Sequence, residues 1–486
     1  MNLGTLAGSL LNIPDRNQGI EITGLTADSR RVEKGFLFAA FAGTHTDGAR
    51  FVDDAVRNGA GAVLIADSDK TDFDLPVPVL RSNAPRSVFA KMAAQFYGQQ
   101  PSCIVAITGT NGKTSVASFV RQIWQAAGHH AASLGTVGLV TPKRRISGAL
   151  TTPDPVTLHK LLAEIHGEGV THLALEASSH GLQQHRLDGV AMQAGAFTNI
   201  SRDHMDYHKD FEDYRLQKSK LFSSVLGPGK FAVIDLRENE ADFMRETAVN
   251  NELDVLSIGV EDADIQILEI TEGQADQHIQ VRFRGKDYQA TLPLIGRFQV
   301  ANALTAVGLC IATGVEPGEA FQAVSRLQGE IGRLEFVGRQ QEGGRVFIDY
   351  AHTPDALGSA LSALRPYVQG KLVVVFGCGG DRDQGKRSEM GRIATSQADR
   401  IIVTDDNPRS ENPAQIRSEI LHGTSGAIEI GDRRAAIEAA ISELEAGDIL
   451  LIAGKGHETG QIVGDKTLPF SDHEAVQEVL NGDSGD

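Results

Sequence analysis

Ile107-Thr108-Gly109-Thr110-Asn111-Gly112-Lys113-Thr114-Ser115 stands between two stretches of opposite character. Before it, Cys103-Ile104-Val105-Ala106-Ile107 is an unbroken apolar run, the pattern of a parallel strand buried on both faces. After it, Val116, Phe119, Val120, Ile123, Trp124 and Ala127 recur at helical spacing along one face. Strand, glycine-rich turn, Lys-Thr and helix together describe a phosphate cradle. Gly109 and Gly112 let the backbone approach an anion closely, and the free N–H groups of the helix, from Thr110 and Asn111 through Ser115, face it. Lys113 has the reach for terminal phosphates, and the Thr114 hydroxyl can ligate Mg²⁺. The loop is shorter than the usual phosphate-loop pattern, because Ile107 occupies the place of the first glycine. The competing reading is a glycine-rich turn carrying a surface lysine. The flanking strand and helix favour the cradle, and a chain that binds a nucleoside triphosphate.

At 486 residues the chain exceeds one ordinary core, so about three domains are expected. A hydrophobic fraction of 41% with 22% charged residues is that of a soluble globular protein, and no apolar run approaches the length of a membrane span. Met1-Asn2-Leu3-Gly4-Thr5 has no basic stretch or cleavage site of a secretory signal. Cys103, Cys310 and Cys378 are few, odd in number and far apart, which argues against disulfides or a cysteine zinc site and for a reducing cytoplasm. A net charge of −17 argues against nucleic acid as partner, so an anionic substrate has to be met by local cations and helix N-termini. The sharpest basic cluster, Lys143-Arg144-Arg145, follows Thr141-Pro142 and reads as a solvated loop.

Punctuation divides the chain into residues 1–98, 99–330 and 331–486. The first region carries short strands, Gly61–Ile65 and Val77–Leu80, between helical patterns over Ala49–Asn58 and Arg86–Tyr97. Gly98-Gln99-Gln100-Pro101 is a linker. In the last region three apolar runs each end in polar residues. Leu372–Phe376 leads to Gly377–Asp383, Ile401–Val403 to Thr404-Asp405-Asp406-Asn407-Pro408-Arg409, and Ile449–Ile452 to Ala453-Gly454-Lys455-Gly456-His457-Glu458. Ligands of open α/β sheets sit beyond the carboxyl ends of strands, so these ends mark a site rim.

The middle region adds chemistry. Leu173-Ala174-Leu175-Glu176 reads as a strand delivering a carboxylate, where an NTPase places a Mg²⁺ ligand. Asp203, His204, Asp206 and His208 are dense enough to bind a metal, yet match no zinc spacing and equally suit surface hydrogen bonding. Tyr214–Phe222 reads as a helix with exposed lysines, in which periodicity gives Lys218 no special role.

Taken together and in order, these motifs resemble the Mur ligase family, ATP-dependent amide-forming enzymes of peptidoglycan assembly. The resemblance runs through Asp28–Val32, Thr108–Thr114, Thr151-Thr152-Pro153, Glu176–Leu182, Asn199–His208, Gly332–Glu335, Asp349–Asp355 and the three C-terminal loops. It implies an α/β protein of three domains. These are a small N-terminal α/β domain for a UDP-sugar (1–98), a central P-loop ATPase with a mostly parallel sheet (99–330) and a Rossmann-like domain for an amino acid (331–486).

Within that family the chain looks like the member that adds meso-diaminopimelate to UDP-N-acetylmuramoyl-L-Ala-D-Glu. Ser29 and the turn Thr44-His45-Thr46 match uridine-side contacts, and Thr151, Thr152, Ser178, Gln184 and Arg186 match residues holding the muramoyl dipeptide. Thr114, Glu176 and His204 match Mg²⁺ ligands, while Asn302, Arg333, Asp349 and His352 match nucleotide contacts. Lys218 aligns with a carbamylated lysine whose CO₂-derived carboxylate is a further ligand, and Lys113, Glu176, His204 and Lys218 form the implied catalytic set. Asp406-Asn407-Pro408-Arg409, with Arg382, Gly454 and Glu458, goes with diaminopimelate: an arginine can grip its distal carboxylate bidentately and an acid its amine. Family members imply a monomer. Gln299 departs from the family, whose members carry Asn there. A lysine-adding ligase, folylpolyglutamate synthase and a nucleotide-regulated binding protein without ligase activity are the rival readings.

Overall fold

The computed structural model describes residues 1–43, 47–69, 71, 73–148, 150–273 and 275–482. Among the described residues three large sheets follow one another along the chain, with a two-stranded antiparallel ribbon, Gly460–Val463 and Lys466–Pro469, near its end. The first has four parallel strands in sequential order, Gly24–Thr26, Phe36–Ala39, Ala62–Ala66 and Val79–Ser82. Helices Leu3–Ala7 and Pro85–Tyr97 cover one face. The pattern over 49–58 is shorter as a helix than expected: Asp47 caps a 3₁₀ turn, Gly48–Phe51, and only Val52–Arg57 is α-helical, on the other face.

The second sheet has eleven strands among the described residues, with Cys103–Thr108 near its middle. His172–Glu176 lies parallel on one side of it and Met192–Phe197 parallel on the other. The chain first winds outward to Ala131–Gly135, returns through His172–Glu176, and then crosses to Met192–Phe197. Winding direction therefore reverses at Cys103–Thr108, and such a reversal opens a crevice beyond the carboxyl ends of the strands.

The centres of these strands are largely apolar because helices bury both faces. Lys113–Ala126 and Arg297–Ala312 cover one, Pro155–Gly167 and Ala241–Asn250 the other. Val116, Phe119, Val120, Ile123 and Trp124 are all 0% exposed. At about 1.5–3 kcal/mol for each large side chain so buried, this face fixes the helix that presents the phosphate loop. One edge continues as an antiparallel meander, Ile265–Glu272, Gln277–Phe283 and Lys286–Leu292, whose middle strand alternates buried and exposed residues.

The third sheet runs Glu335–Arg339, Arg345–Asp349, Ile449–Ala453, Leu372–Phe376, Arg400–Val403 and Ile428–Glu429, all parallel except the first pair. Pro354–Leu364, Lys386–Gln397 and Pro413–Leu421 pack on one face, Arg433–Ser442 and Asp472–Asn481 on the other. This doubly wound arrangement puts the three polar strand ends on one rim.

Cys310 and Cys378 are buried and Cys103 is half-buried, all with free thiols. Arg144 pairs with Glu168 at 2.5 Å and Glu164 at 3.5 Å in an exposed loop, as expected for that basic cluster. No helix among the described residues is long and apolar enough to cross a membrane.

Candidate active site

The loop after Cys103–Thr108 is held in a left-handed path at Gly109 (φ +147°) and Gly112 (φ +85°). A Cβ on Gly112 would collide with the Asn302 side chain, and one on Gly109 with Thr198. The Lys113 ammonium turns back to donate to the carbonyls of Gly109 (2.8 Å) and Thr110 (2.7 Å). Lys218 donates to the same Gly109 carbonyl at 2.6 Å.

Lys218 corrects the sequence reading, which put exposed lysines on this helix. Helix Phe211–Lys220 turns Tyr214, Lys218 and Ser219 inward and leaves Phe211 and Leu216 39% and 45% exposed, so Lys218 is only 1% exposed. Burial, and then the charge of Lys113, hold its amine well below the usual lysine range. The amine is therefore disposed to be neutral and nucleophilic.

Glu176 ends its strand against Thr136, whose N–H and hydroxyl donate to the two carboxylate oxygens at 2.9 and 3.0 Å. Gly135 is required here, since a Cβ would strike that carboxylate. The Thr136 and Thr151 hydroxyls are 3.0 Å apart, Thr152 donates to the Glu176 carbonyl at 2.8 Å, and Ser178 donates to Thr152 at 3.1 Å. Arg186 reaches the Thr152 carbonyl at 2.6 Å and is braced by Gln184 at 2.8 Å.

Asp203 lies between two imidazoles from different sheets, 3.4 Å from His204 and 3.8 Å from His352. Burial depresses the His204 imidazole, which sits at φ +55°. His180 stacks on Tyr207 at 3.8 Å and meets His204 edge-on.

From the third sheet, Asp349 accepts from the N–H groups of Leu334 (2.6 Å) and Ala351 (2.7 Å), and burial pushes its carboxyl up to about 6. Arg333 lies over the Tyr350 ring and donates to the Thr114 hydroxyl at 3.1 Å, closing the site over the loop. Asn302 donates to buried Gln299 at 3.2 Å, so the departure at 299 keeps a hydrogen bond.

A cavity of about 310 Å³ unites most of these groups. From the phosphate loop it is lined by Thr110, Asn111, Gly112, Lys113, Thr114 and Ser115. Across it stand Thr151, Glu176, Ser178, His204 and Lys218, then Asn302, Arg333, Asp349 and His352.

An adjoining cluster joins the three C-terminal strand ends. Asn407 donates to Glu458 at 2.9 Å, and Lys455, 0% exposed, donates to Asn407 (3.2 Å), Glu458 (2.8 Å) and the Gly460 carbonyl (2.7 Å). A Cβ on Gly454 (φ +115°) would sit 2.7 Å from the Asp406 carboxylate, which itself accepts from the Asn407 N–H at 2.6 Å. Pro408 carries the chain on to Arg409, which has φ +52° and donates to the Gly380 carbonyl at 2.8 Å. No carboxylate pairs with Arg409 at ion-pair distance among the described residues, and burial and nearby Arg382 hold its guanidinium below the usual value. A guanidinium with no acid partner among the described residues is suited to meet an anion. Arg382, 3.8 Å from Asp206, reaches the loop that also carries Asp203 and His204.

Ser29 lies apart, in the 3₁₀ turn Ser29–Arg31, and does not line the cavity. Thr44, His45 and Thr46 are outside the described residues. Sequence reading gave no role to Lys455 or Thr136, and offered Asp203 only as part of a metal-or-surface cluster. Only the glycines flanking Lys455 were a signal, of a lysine pinned by a tight backbone.

Models of three domains match the chain in order. They are the Mur ligase family catalytic domain at residues 21–97, the Mur ligase middle domain at 107–310, and the Mur ligase glutamate ligase domain at 332–456. The chain is 53% identical over 461 residues to UDP-N-acetylmuramoyl-L-alanyl-D-glutamate–2,6-diaminopimelate ligase of Brucella melitensis biotype 1, covering 95% of this chain and 94% of that one. It is 52% identical to the protein of the same name from Bradyrhizobium diazoefficiens, over 99% of both. A solved structure of a ligase with that name superposes with a TM-score of 0.71 at 32% identity, covering 100% of each chain. By sequence and by fold, the chain belongs to the Mur ligase family.

Proposed function

We propose that this protein joins meso-diaminopimelate to the side-chain carboxylate of D-Glu in UDP-N-acetylmuramoyl-L-Ala-D-Glu, at the expense of ATP, in peptidoglycan precursor synthesis. The observation that carries this reading is the phosphate-loop cavity beside a strand-end cluster in which, among the described residues, no acid pairs with Arg409. Lysine has no distal carboxylate to occupy that site, so the arginines favour diaminopimelate.

In this reading Lys113 and the loop amides from Gly109 to Ser115 hold the phosphates, and Asn302, Arg333, Asp349 and His352 hold the rest of the nucleotide. Ser29, Thr44, His45 and Thr46 take the uridine end, while Thr151, Thr152, Ser178, Gln184 and Arg186 take the muramoyl dipeptide. Arg382 and Arg409 bind the distal carboxylate. Asp406, Asn407, Pro408, Gly454 and Glu458 hold the amino acid's remaining groups.

Transfer of the γ-phosphoryl to an oxygen of the D-Glu carboxylate breaks its bond to the bridging oxygen of ATP, releases ADP and gives an acyl phosphate. The diaminopimelate amine attacks its carbonyl carbon, the C–N bond forms, and phosphate leaves. Lys113 and Arg333 converge where charge develops in the phosphoryl transfer. Closure of residues 331–486 over 99–330, hinged near 330, would align the reactants and exclude water.

Thr114, Glu176, His204 and a carbamylated Lys218 would hold Mg²⁺. The donor set fits this ion, which takes one or two carboxylates plus phosphates and waters rather than an all-protein cage. When bound, it neutralises phosphate charge. Carbamylation suits Lys218, because the amine is buried beside Lys113 and adding CO₂ with loss of a proton turns their repulsion into attraction. A cytoplasmic monomer completes the reading, consistent with the free thiols.

The test uses substrate with both oxygens of the D-Glu side-chain carboxylate labelled with ¹⁸O. One label should appear in released phosphate for each amide formed. Amide formation with unlabelled phosphate would exclude the acyl phosphate.

A further inference from the structure

A second cavity, of about 410 Å³, lies beside the junction of the second and third sheets. Its volume falls within the roughly 300–1,000 Å³ typical of small-molecule sites. One wall is a face of the antiparallel pair Glu335–Arg339 and Arg345–Asp349. In that register Phe336 lies opposite Phe347 and Arg339 opposite Arg345, so two rings and two guanidiniums share one face. The rings are 5.5 Å apart, and Phe336 is left 49% exposed. Leu294, from the segment entering helix Arg297–Ala312, lines the cavity too.

Like charges directly opposite in an antiparallel pair destabilise it. Here Arg345 donates to the Tyr367 carbonyl and Arg339 lies over the Phe336 ring, and among the described residues no carboxylate pairs with either. The two acids that line the cavity are engaged elsewhere. Glu330 is held by Ser118 and, at 3.3 Å, by Arg121. Glu335 accepts from the Gly332 N–H at 2.7 Å and pairs with His473 at 2.8 Å. The Tyr367 hydroxyl is buried with no hydrogen-bond partner among the described residues.

We propose that this cavity binds a small organic anion, its apolar ring or branched chain against Phe336, Phe347 and Leu294 and its carboxylate, sulfonate or phosphate between Arg339 and Arg345. Such an occupant relieves the guanidinium repulsion and offers the Tyr367 hydroxyl an acceptor. Arg333 lines both cavities, so the ligand would act on the segment that carries Arg333 to Thr114. The site is separate from the proposed reaction's substrates, and its existence does not depend on that reaction.

The probe is 8-anilinonaphthalene-1-sulfonate, titrated calorimetrically into the full chain saturated with a non-hydrolysable ATP analogue, beside its uncharged relative N-phenyl-1-naphthylamine. One sulfonate should bind per chain, at least tenfold tighter than the uncharged probe and at least tenfold tighter than to the R339Q/R345Q variant. R339Q alone, which keeps Arg345 on the Tyr367 carbonyl, should melt no lower than the parent, because it removes one partner of the like-charge pair. Equal affinity in the double variant, equal affinity for the uncharged probe, loss of binding on adding the nucleotide analogue, or no binding would each overturn the proposal. A lower melting temperature for R339Q would overturn the repulsion argument; its affinity for the sulfonate would then decide on binding alone.

Discussion

Lys455→Met removes the charge from the buried tie between two of the C-terminal strand ends, those after Arg400–Val403 and Ile449–Ala453, while nearly keeping its volume. Three donors are lost, to Asn407, Glu458 and the Gly460 carbonyl. The bond to Glu458 is charge-assisted and worth about 1.5–3 kcal/mol. Glu458 is 30% exposed, so water recovers part of that and the lower end applies. Asn407 keeps its bond from the Ile462 N–H, and Gly460 can turn to water, so these two add roughly 0.5–1.5 kcal/mol each at most. Relief of lysine desolvation offsets some of the sum, leaving about 2 kcal/mol of lost order in the loop. Expressed in diaminopimelate binding, that is roughly a thirtyfold rise in KM. ATP should be unaffected, since Lys455 touches no part of the phosphate loop. Initial rates of phosphate release, with each substrate varied in turn, read both constants. An unchanged KM for diaminopimelate, or an equal rise for ATP, would refute the positioning role of Lys455.

Three further outcomes are expected. Lys218→Met should lower turnover by roughly 10³-fold. A ¹³C-carbamate signal from labelled bicarbonate should be present in the parent and absent in this variant. A signal that persists in the variant assigns the carbamate elsewhere. Gly112→Ala, at φ +85° and against Asn302, should cost about 1–3 kcal/mol and raise the KM for ATP, and normal ATP kinetics would contradict the cradle geometry. His159 is 3% exposed and burial pushes its imidazole from 6.5 down to about 4. Its folded form resists protonation, so stability is full above pH 6.5 and falls by about 3 kcal/mol as pH drops toward 4. Denaturant melts of His159→Gln should show a flatter acid limb, and parallel limbs would exclude His159 as the cause.

Local pattern carried the strand, phosphate loop and helix at 103–126, since each is decided by neighbours a few residues apart. The three C-terminal strand ends were legible for the same reason. Lys218 was not, because its helix exposes Phe211 and Leu216 while burying a lysine, against the usual partition. Nor could spacing pair Arg333 with Thr114, 219 positions away, or set Asp203 between His204 and His352. Those contacts exist only once the second and third sheets meet. For Lys218 and Arg409, resemblance supplied roles that periodicity did not. What the structure adds is a buried amine beside Lys113 and, among the described residues, an arginine without an acid partner.

The most direct test of the ligase assignment is product formation from ATP and UDP-N-acetylmuramoyl-L-Ala-D-Glu, followed by mass spectrometry, with meso-diaminopimelate or L-lysine as the amine. The account predicts the diaminopimelate tripeptide alone, with Arg409→Ala abolishing its preference over lysine. Efficient lysine addition by the parent, or full diaminopimelate selectivity in Arg409→Ala, would contradict it.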